Sequence, residues 1–185
     1  MIDEIQKDAE SRMNKTVEST RDDMARIRTG RATTALLDHL TVDYYGANTP
    51  VNQVATVSVS DARTLTVQPW EKNMLAVIER AILESDLGLN PVTAGETMRI
   101  PLPPMTEERR VELVKIVKNE GENGKIAIRN IRRDAIQTVR ELLKEKEISQ
   151  DEEKGSESAL QALTDRFVAQ IDEVVGDKEK EVMEV

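Results

Sequence analysis

Four cations recur at helical spacing in the run Lys125-Ile126-Ala127-Ile128-Arg129-Asn130-Ile131-Arg132-Arg133-Asp134-Ala135. At that spacing Ile128, Ile131 and Ala135 form an apolar seam. Lys125, Arg129, Arg132 and Arg133 gather on the other side, at i, i+4, i+7 and i+8. Arginine grips phosphate through two parallel hydrogen bonds from one planar fork. The chain as a whole carries a formal net charge of -9. On such an anionic body, one basic stripe implies an oriented docking site for a polyanion rather than general adhesion. A solvated helix face is the alternative for any charged run, and the rest of the sequence weighs against it.

Composition removes most catalytic chemistry. The 185 residues allow one large or two small domains. With no cysteine there is neither a disulfide nor a thiolate metal site, and the single histidine, His39, excludes His-rich zinc sites and most histidine dyads. His39 beside Asp38 reads as structural or merely exposed. Gly121-Glu122-Asn123-Gly124 spells a G-x-x-G loop but lies inside a helical pattern. Gly124-Lys125-Ile126 lacks the upstream glycine spacing and the Ser/Thr of a nucleotide-binding loop. No metal, no cofactor and no enzymatic site are expected. Aromatic residues are few (Phe167, Trp70, Tyr44 and Tyr45), which leaves little for stacked-base recognition. Trp70, following Pro69, is expected to plug a small core. No run of about 18 apolar residues could span a membrane. Asp3, Glu4, Asp8 and Glu10 at the N-terminus are unlike a targeting segment, so a soluble cytoplasmic protein is expected.

Charge is divided between two neighbouring segments. Residues 106–146 hold 11 Lys/Arg and 8 Asp/Glu, and residues 147–185 hold 4 and 12. The many carboxylates of the second segment follow helical patterning and read as a solvated face, with no acid–base pair singled out.

The elements that must position the arginines follow from periodicity. Ile2, Ile5, Ala9, Met13, Val17, Thr20, Met24 and Ile27 predict a helix over residues 1–28, broken by Thr29-Gly30. Leu40–Tyr44, Val54–Val59, Thr64–Val67 and Met98–Ile100 read as strands, with a turn at Ser60–Arg63. Asn73–Ser85 reads as a short helix with Asn73 as its N-cap and Gly88 just past its end. After Pro101-Leu102-Pro103-Pro104, a helix of some 60 Å is expected from Thr106 to about Lys146. Its predicted seam is Val114, Val117, Gly121, Gly124, Ile128, Ile131, Ala135, Thr138 and Leu142. Ser149 with Glu152 forms a capping box for a last helix striped by Leu160, Leu163, Phe167, Ile171 and Val174. Three long stripes need partners, and the simplest solution is an α+β chain. In it, residues 1–30 and 105–185 make an antiparallel three-helix bundle, and residues 31–104 make an inserted β/α/β domain. The chain crosses between the two at residues 29–31 and 101–106. Thr29, Gly30 and Arg31 permit rotation, and Pro103, Pro104, Met105 and Thr106 form the stiffer crossing, so a hinge with restricted swing is expected.

The chain resembles the ribosome recycling factor family over essentially its whole length. The residues that carry the resemblance are Ile27-Arg28-Thr29-Gly30-Arg31-Ala32, Leu36-Leu37-Asp38, Tyr44-Tyr45-Gly46, Ser85-Asp86-Leu87-Gly88-Leu89-Asn90-Pro91, Arg99-Ile100-Pro101-Leu102-Pro103-Pro104, Thr106-Glu107-Glu108-Arg109-Arg110 and Arg129-Asn130-Ile131-Arg132-Arg133-Asp134-Ala135. No single piece is diagnostic, but seven in register are specific. The resemblance implies an L-shaped monomer that enters the intersubunit space of the post-termination ribosome. Its bundle would contact large-subunit rRNA, and with elongation factor G and GTP it would help split the subunits. Arg132, Arg129 and Arg133 are then the first expected rRNA contacts, with Lys125, Arg109, Arg110, Arg28 and Arg31 extending the basic surface. Two features depart from the family pattern. Thr33-Thr34 replaces a Ser-Pro turn near the hinge. Gly121 and Gly124 stand where alanine-like residues are usual, each costing about 0.5–1 kcal/mol relative to alanine in a helix, which leaves open how rigid the helix is just before the arginines. The competing reading is a helical-bundle scaffold with no RNA partner, which would need an exposed apolar seam instead.

Overall fold

A computed structural model of the protein describes residues 1–184. The chain divides into two compact units, residues 1–28 with 108–184, and residues 29–107.

The first unit is built from α1 (Ile2–Arg26), α3 (Glu107–Lys144) and α4 (Gln150–Glu184). Contacts across the bundle give its directions. Arg12 meets Asp134 at 3.5 Å and Lys125 meets Asp172, so α3 runs against both neighbours, while Arg166 meets Glu10 at 2.6 Å on the parallel pair α1 and α4. Ala9, Met13, Val17, Ile128, Ile131, Val139, Leu160, Phe167 and Ile171 close the core. The seam of α3 differs at its ends from the sequence expectation: Leu113 and Val139 are buried, whereas Val114 and Leu142 are half-buried and Thr138 is exposed. A 3.5-residue template drifts from a 3.6-residue helix over ten turns, so its outer positions fall out of phase.

α3 is continuous over 38 residues through Gly121 and Gly124. Both are buried, Gly121 against α4 and Gly124 against α1 and α4. A Cβ on Gly121 would collide with Val175 of α4, and one on Gly124 would lie 2.6 Å from Thr20 Oγ1 of α1 and 3.1 Å from Ile171 Cδ1 of α4. The missing side chains let the neighbouring helices touch the backbone of α3.

Between α3 and α4 the chain turns without glycine. Lys146 adopts φ +61, Glu147 N–H donates to Leu142 C=O at 2.9 Å, and Lys146 N–H donates to Leu143 C=O at 3.0 Å. This is a Schellman cap with lysine in the left-handed position. The expected capping box follows: Glu152 N–H donates to Ser149 Oγ at 3.1 Å, and Ser149 N–H donates to Glu152 Oε2 at 2.7 Å.

The second unit contains the hairpin β1 (Thr41–Tyr44) and β2 (Ala47–Pro50). It also has a four-stranded antiparallel sheet of β3 (Ala55–Asp61), β4 (Thr64–Pro69), β5 (Val92–Ala94) and β6 (Thr97–Pro101), ordered β3-β4-β6-β5. The helix α2 (Met74–Glu84) lays Met74, Ile78 and Ile82 on the core shared with Leu65, Val67, Met98 and Ile100. The hairpin turn uses Tyr45 (φ 51) and Gly46 (φ 85), both left-handed as a type I′ turn demands. Asn73 makes no side-chain cap; its amide donates instead to Tyr45 Oη at 3.2 Å. Both tyrosines of the hairpin donate to Glu71, Tyr44 to Oε1 and Tyr45 to Oε2, each at 2.8 Å.

Trp70 does not plug this core. It is 63% exposed. Leu65 and Val67 point into the core, so the next residue in phase is Pro69, and Trp70 falls on the opposite side of the strand.

The β3–β4 turn holds both places where the chain enters and leaves this unit. Ala32 N–H donates to Ala62 C=O at 2.8 Å, and Leu102 N–H donates to Arg63 C=O at 2.7 Å. Asp61 Oδ1 accepts from Arg63 N–H at 2.9 Å and fixes the turn. That hydrogen bond, helped by the Thr64 hydroxyl and by the Arg63 and Arg99 guanidinium groups, holds the Asp61 carboxyl below the usual carboxylate range.

Candidate nucleic-acid interface

The buried side of α3 fixes where its cations point. Ile128, Ile131 and Ala135 face the bundle interior. At about 100° per residue, Arg133 lies nearly opposite that seam, Arg129 somewhat nearer, and Lys125 and Arg132 on the flank toward α4. The contacts agree. Lys125 is largely covered and paired with Asp172 of α4. Arg132 is half-buried and donates to Gln161 Oε1 of α4 at 2.9 Å. The expectation that all four cations share one free face is therefore corrected. The helical wheel sets each angle, but α4 covers one flank, and its carboxylates draw Lys125 inward. Arg132 is not opposite the seam; it sits beside it.

Two of the four remain directed to solvent. Arg133 is exposed and makes no side-chain hydrogen bond or ion pair among the described residues. Arg129 pairs with Glu122 of its own helix at 3.3 Å, with both side chains about half exposed. An exposed pair of this kind contributes little and yields readily to a stronger anion. Arg132 keeps its charge uncompensated, because Gln161 is neutral.

The other expected cations lie apart from this stripe. Arg109 is exposed and pairs with Glu112 at 3.0 Å. Arg110 is half-buried. Arg28, just beyond α1, and Arg31, in the other unit, are exposed and unpaired among the described residues. Sequence reading passed over Lys115 and Lys118. Both are exposed on the outward side of α3, and Lys115 stands 18 residues, about five full turns, before Arg133. The i, i+18 spacing of Lys115 and Arg133 is the signal in the sequence that places both on one side of the helix.

No group of three or more His, Cys, Asp or Glu side chains among the described residues is placed to hold a metal ion. No helix of the described residues is long and apolar enough to cross a membrane.

The sequence model of the family described as "Ribosome recycling factor" matches residues 20–183. The chain belongs to the ribosome recycling factor family. The ribosome-recycling factor of Legionella pneumophila (strain Paris) is 57% identical over 185 residues, covering 100% of both chains. A solution structure of the ribosome recycling factor is 41% identical, covers 100% of this chain and 98% of that one, and superposes with a TM-score of 0.69. A second solved relative is the T. thermophilus ribosome recycling factor, placed with E. coli elongation factor G on the E. coli post-termination complex. It is 47% identical over 98% of each chain, with a TM-score of 0.62. Membership in the ribosome recycling factor family thus extends over the bundle, the inserted unit and both crossings between them.

Proposed function

We propose that this protein acts on the ribosome after translation termination and, together with elongation factor G and GTP, promotes separation of the subunits. The observation that carries this reading is the end-to-end similarity to ribosome recycling factors, one of which has been placed on a post-termination complex with that elongation factor. The protein is read as a cytoplasmic monomer and as a mechanical factor, not an enzyme. Its bundle anchors to large-subunit rRNA, and the nucleotide is hydrolysed by the partner.

Within the anchor, Arg133 and Arg129 present outward guanidinium groups and Arg132 adds a third beside them. Arg28, Arg109, Arg110, Lys115 and Lys118 are further candidate contacts on the bundle and Arg31 is one on the second unit, while Lys125 is largely spent on Asp172. The pivot is placed at Thr29, Gly30 and Arg31 on one crossing and at Pro103, Pro104, Met105 and Thr106 on the other. Ala32 and Leu102 bound it, because the β3–β4 turn already holds both. A scaffold role is less suited to this surface. The exposed apolar residues of α3, Val111, Ile116 and Ile126, point in directions spread over about 140° and form no seam.

The test is cosedimentation with ribosomes across a salt series, paired with subunit splitting followed by light scattering. Each phosphate contact contributes roughly 0.7–0.9 to the slope of log affinity against log salt. Removing Arg129, Arg132 and Arg133 together should lower that slope by about 2–3 and abolish splitting, with the melting temperature almost unchanged. An unaltered salt slope would move the anchor elsewhere. Gly30→Pro should leave binding nearly intact and impair splitting, because proline cannot adopt the φ of +76 found there. Full splitting activity in that variant would remove the need for a pivot.

A further inference from the structure

The second unit contains a cleft of about 340 Å3 whose lining includes Thr34, Leu37, Asp38, Asn52, Thr56 and Trp70. One wall is β3, the terminal strand of its sheet. The Trp70 indole N–H donates to Thr56 Oγ1 at 2.9 Å, so the ring is held in place while most of it stays in solvent. Asp38 and Asn52 are exposed, and neither side chain has a hydrogen bond or ion pair among the described residues. Among the described residues Asp38 is the only charged residue lining the cleft, and no cation forms an ion pair with it. A fixed aromatic ring, an unpaired carboxylate and a free amide carbonyl are thus grouped in one cleft between β3 and the short helical turns at Thr34–Leu37 and Val51–Gln53.

We propose that this cleft receives an arginine or lysine side chain from an extended, basic segment of a partner protein. A cation over an indole face gains from the ring quadrupole. Asp38 supplies the opposite charge and Asn52 an acceptor for a second N–H. A nucleic-acid strand is disfavoured, because its phosphates would meet Asp38 with no cation to receive them. The site is independent of the arginines of α3, so it stands or falls apart from the rRNA reading.

Trp70 is the only tryptophan in the chain, which makes its emission a direct reporter. The full chain is titrated with a capped peptide of alternating arginine and serine, with the matching glutamate–serine peptide, and with a short oligouridylate. A saturable change in emission is expected with the arginine peptide alone. Asp38→Asn, which preserves shape, should weaken that binding roughly fivefold, the scale of one exposed ion pair. Glu173→Gln, on the acidic helix α4, should leave the curve unaltered. The proposal is overturned by an absent or non-saturable response, by equal affinity in Asp38→Asn, by an equal loss in Glu173→Gln, or by a stronger response to the RNA.

Discussion

Replacing Gly124 with alanine sets two effects of known sign against each other. In an open helix the change stabilises by about 1 kcal/mol, since glycine loses more backbone freedom on folding. In α3 the new methyl carbon would lie 2.6 Å from Thr20 Oγ1 and 3.1 Å from Ile171 Cδ1. The Thr20 hydroxyl cannot simply turn away, because it donates to Thr16 C=O at 2.9 Å. Giving up that bond costs about 1 kcal/mol, and forcing a methyl into a filled contact costs about 1–3 kcal/mol. The crowding wins, and a net destabilisation of about 2 kcal/mol follows. For a protein of this length that lowers the melting temperature by roughly 4–8 °C. Gly155 in α4 is the control, since a Cβ there meets nothing within 4 Å. Gly155→Ala should stabilise by up to about 1 kcal/mol. Urea unfolding followed by far-ultraviolet circular dichroism reports the bundle, which holds most of the helix. A cycle with Thr20→Ala should recover part of the loss at position 124, because the obstruction is then gone. If Gly124→Ala stabilised as much as Gly155→Ala, the close-approach explanation of these glycines would be refuted.

Two other perturbations test features of the turns. Lys146→Gly relieves a left-handed residue (φ +61) at the end of α3 and should raise stability by about 1 kcal/mol in the same urea assay; no gain would mean that lysine is unstrained there. Asp61→Asn concerns acid stability of the small unit, read through Trp70 fluorescence. The folded pKa of Asp61 is lowered, so its contribution is fully present above the ordinary carboxylate pKa and is lost as the pH falls through the folded value. The variant should be the less stable protein at neutral pH and should converge with the parent in acid. A constant gap at every pH would show that the Asp61 charge has no part in holding the turn.

The legible parts of this chain were those set by periodicity and local caps. The positions of α1, α2, α3 and α4 follow from apolar residues three and four apart, and the start of α4 follows from Ser149 and Glu152. The illegible parts depended on what stands next to an element. Lys125 and Arg133 belong to one basic pattern, and the helical wheel turns the first toward a flank and the second away from the seam. What the sequence does not show is that α4 covers that flank, so that the first is drawn to Asp172 while the second is left in solvent. Gly121 and Gly124 read as weak points because propensity sees one helix at a time; with Val175, Thr20 and Ile171 in place, the same residues leave no room for a Cβ. Trp70 was misplaced by residue type, although its phase against Leu65 and Val67 was readable in the sequence and pointed outward. Its exposure is the more telling because the chain has only four aromatic residues and the core of the small unit closes without this one. An indole that is held by a hydrogen bond, set beside an uncompensated carboxylate and not needed for packing has lost its structural explanation, and a partner supplies the remaining one.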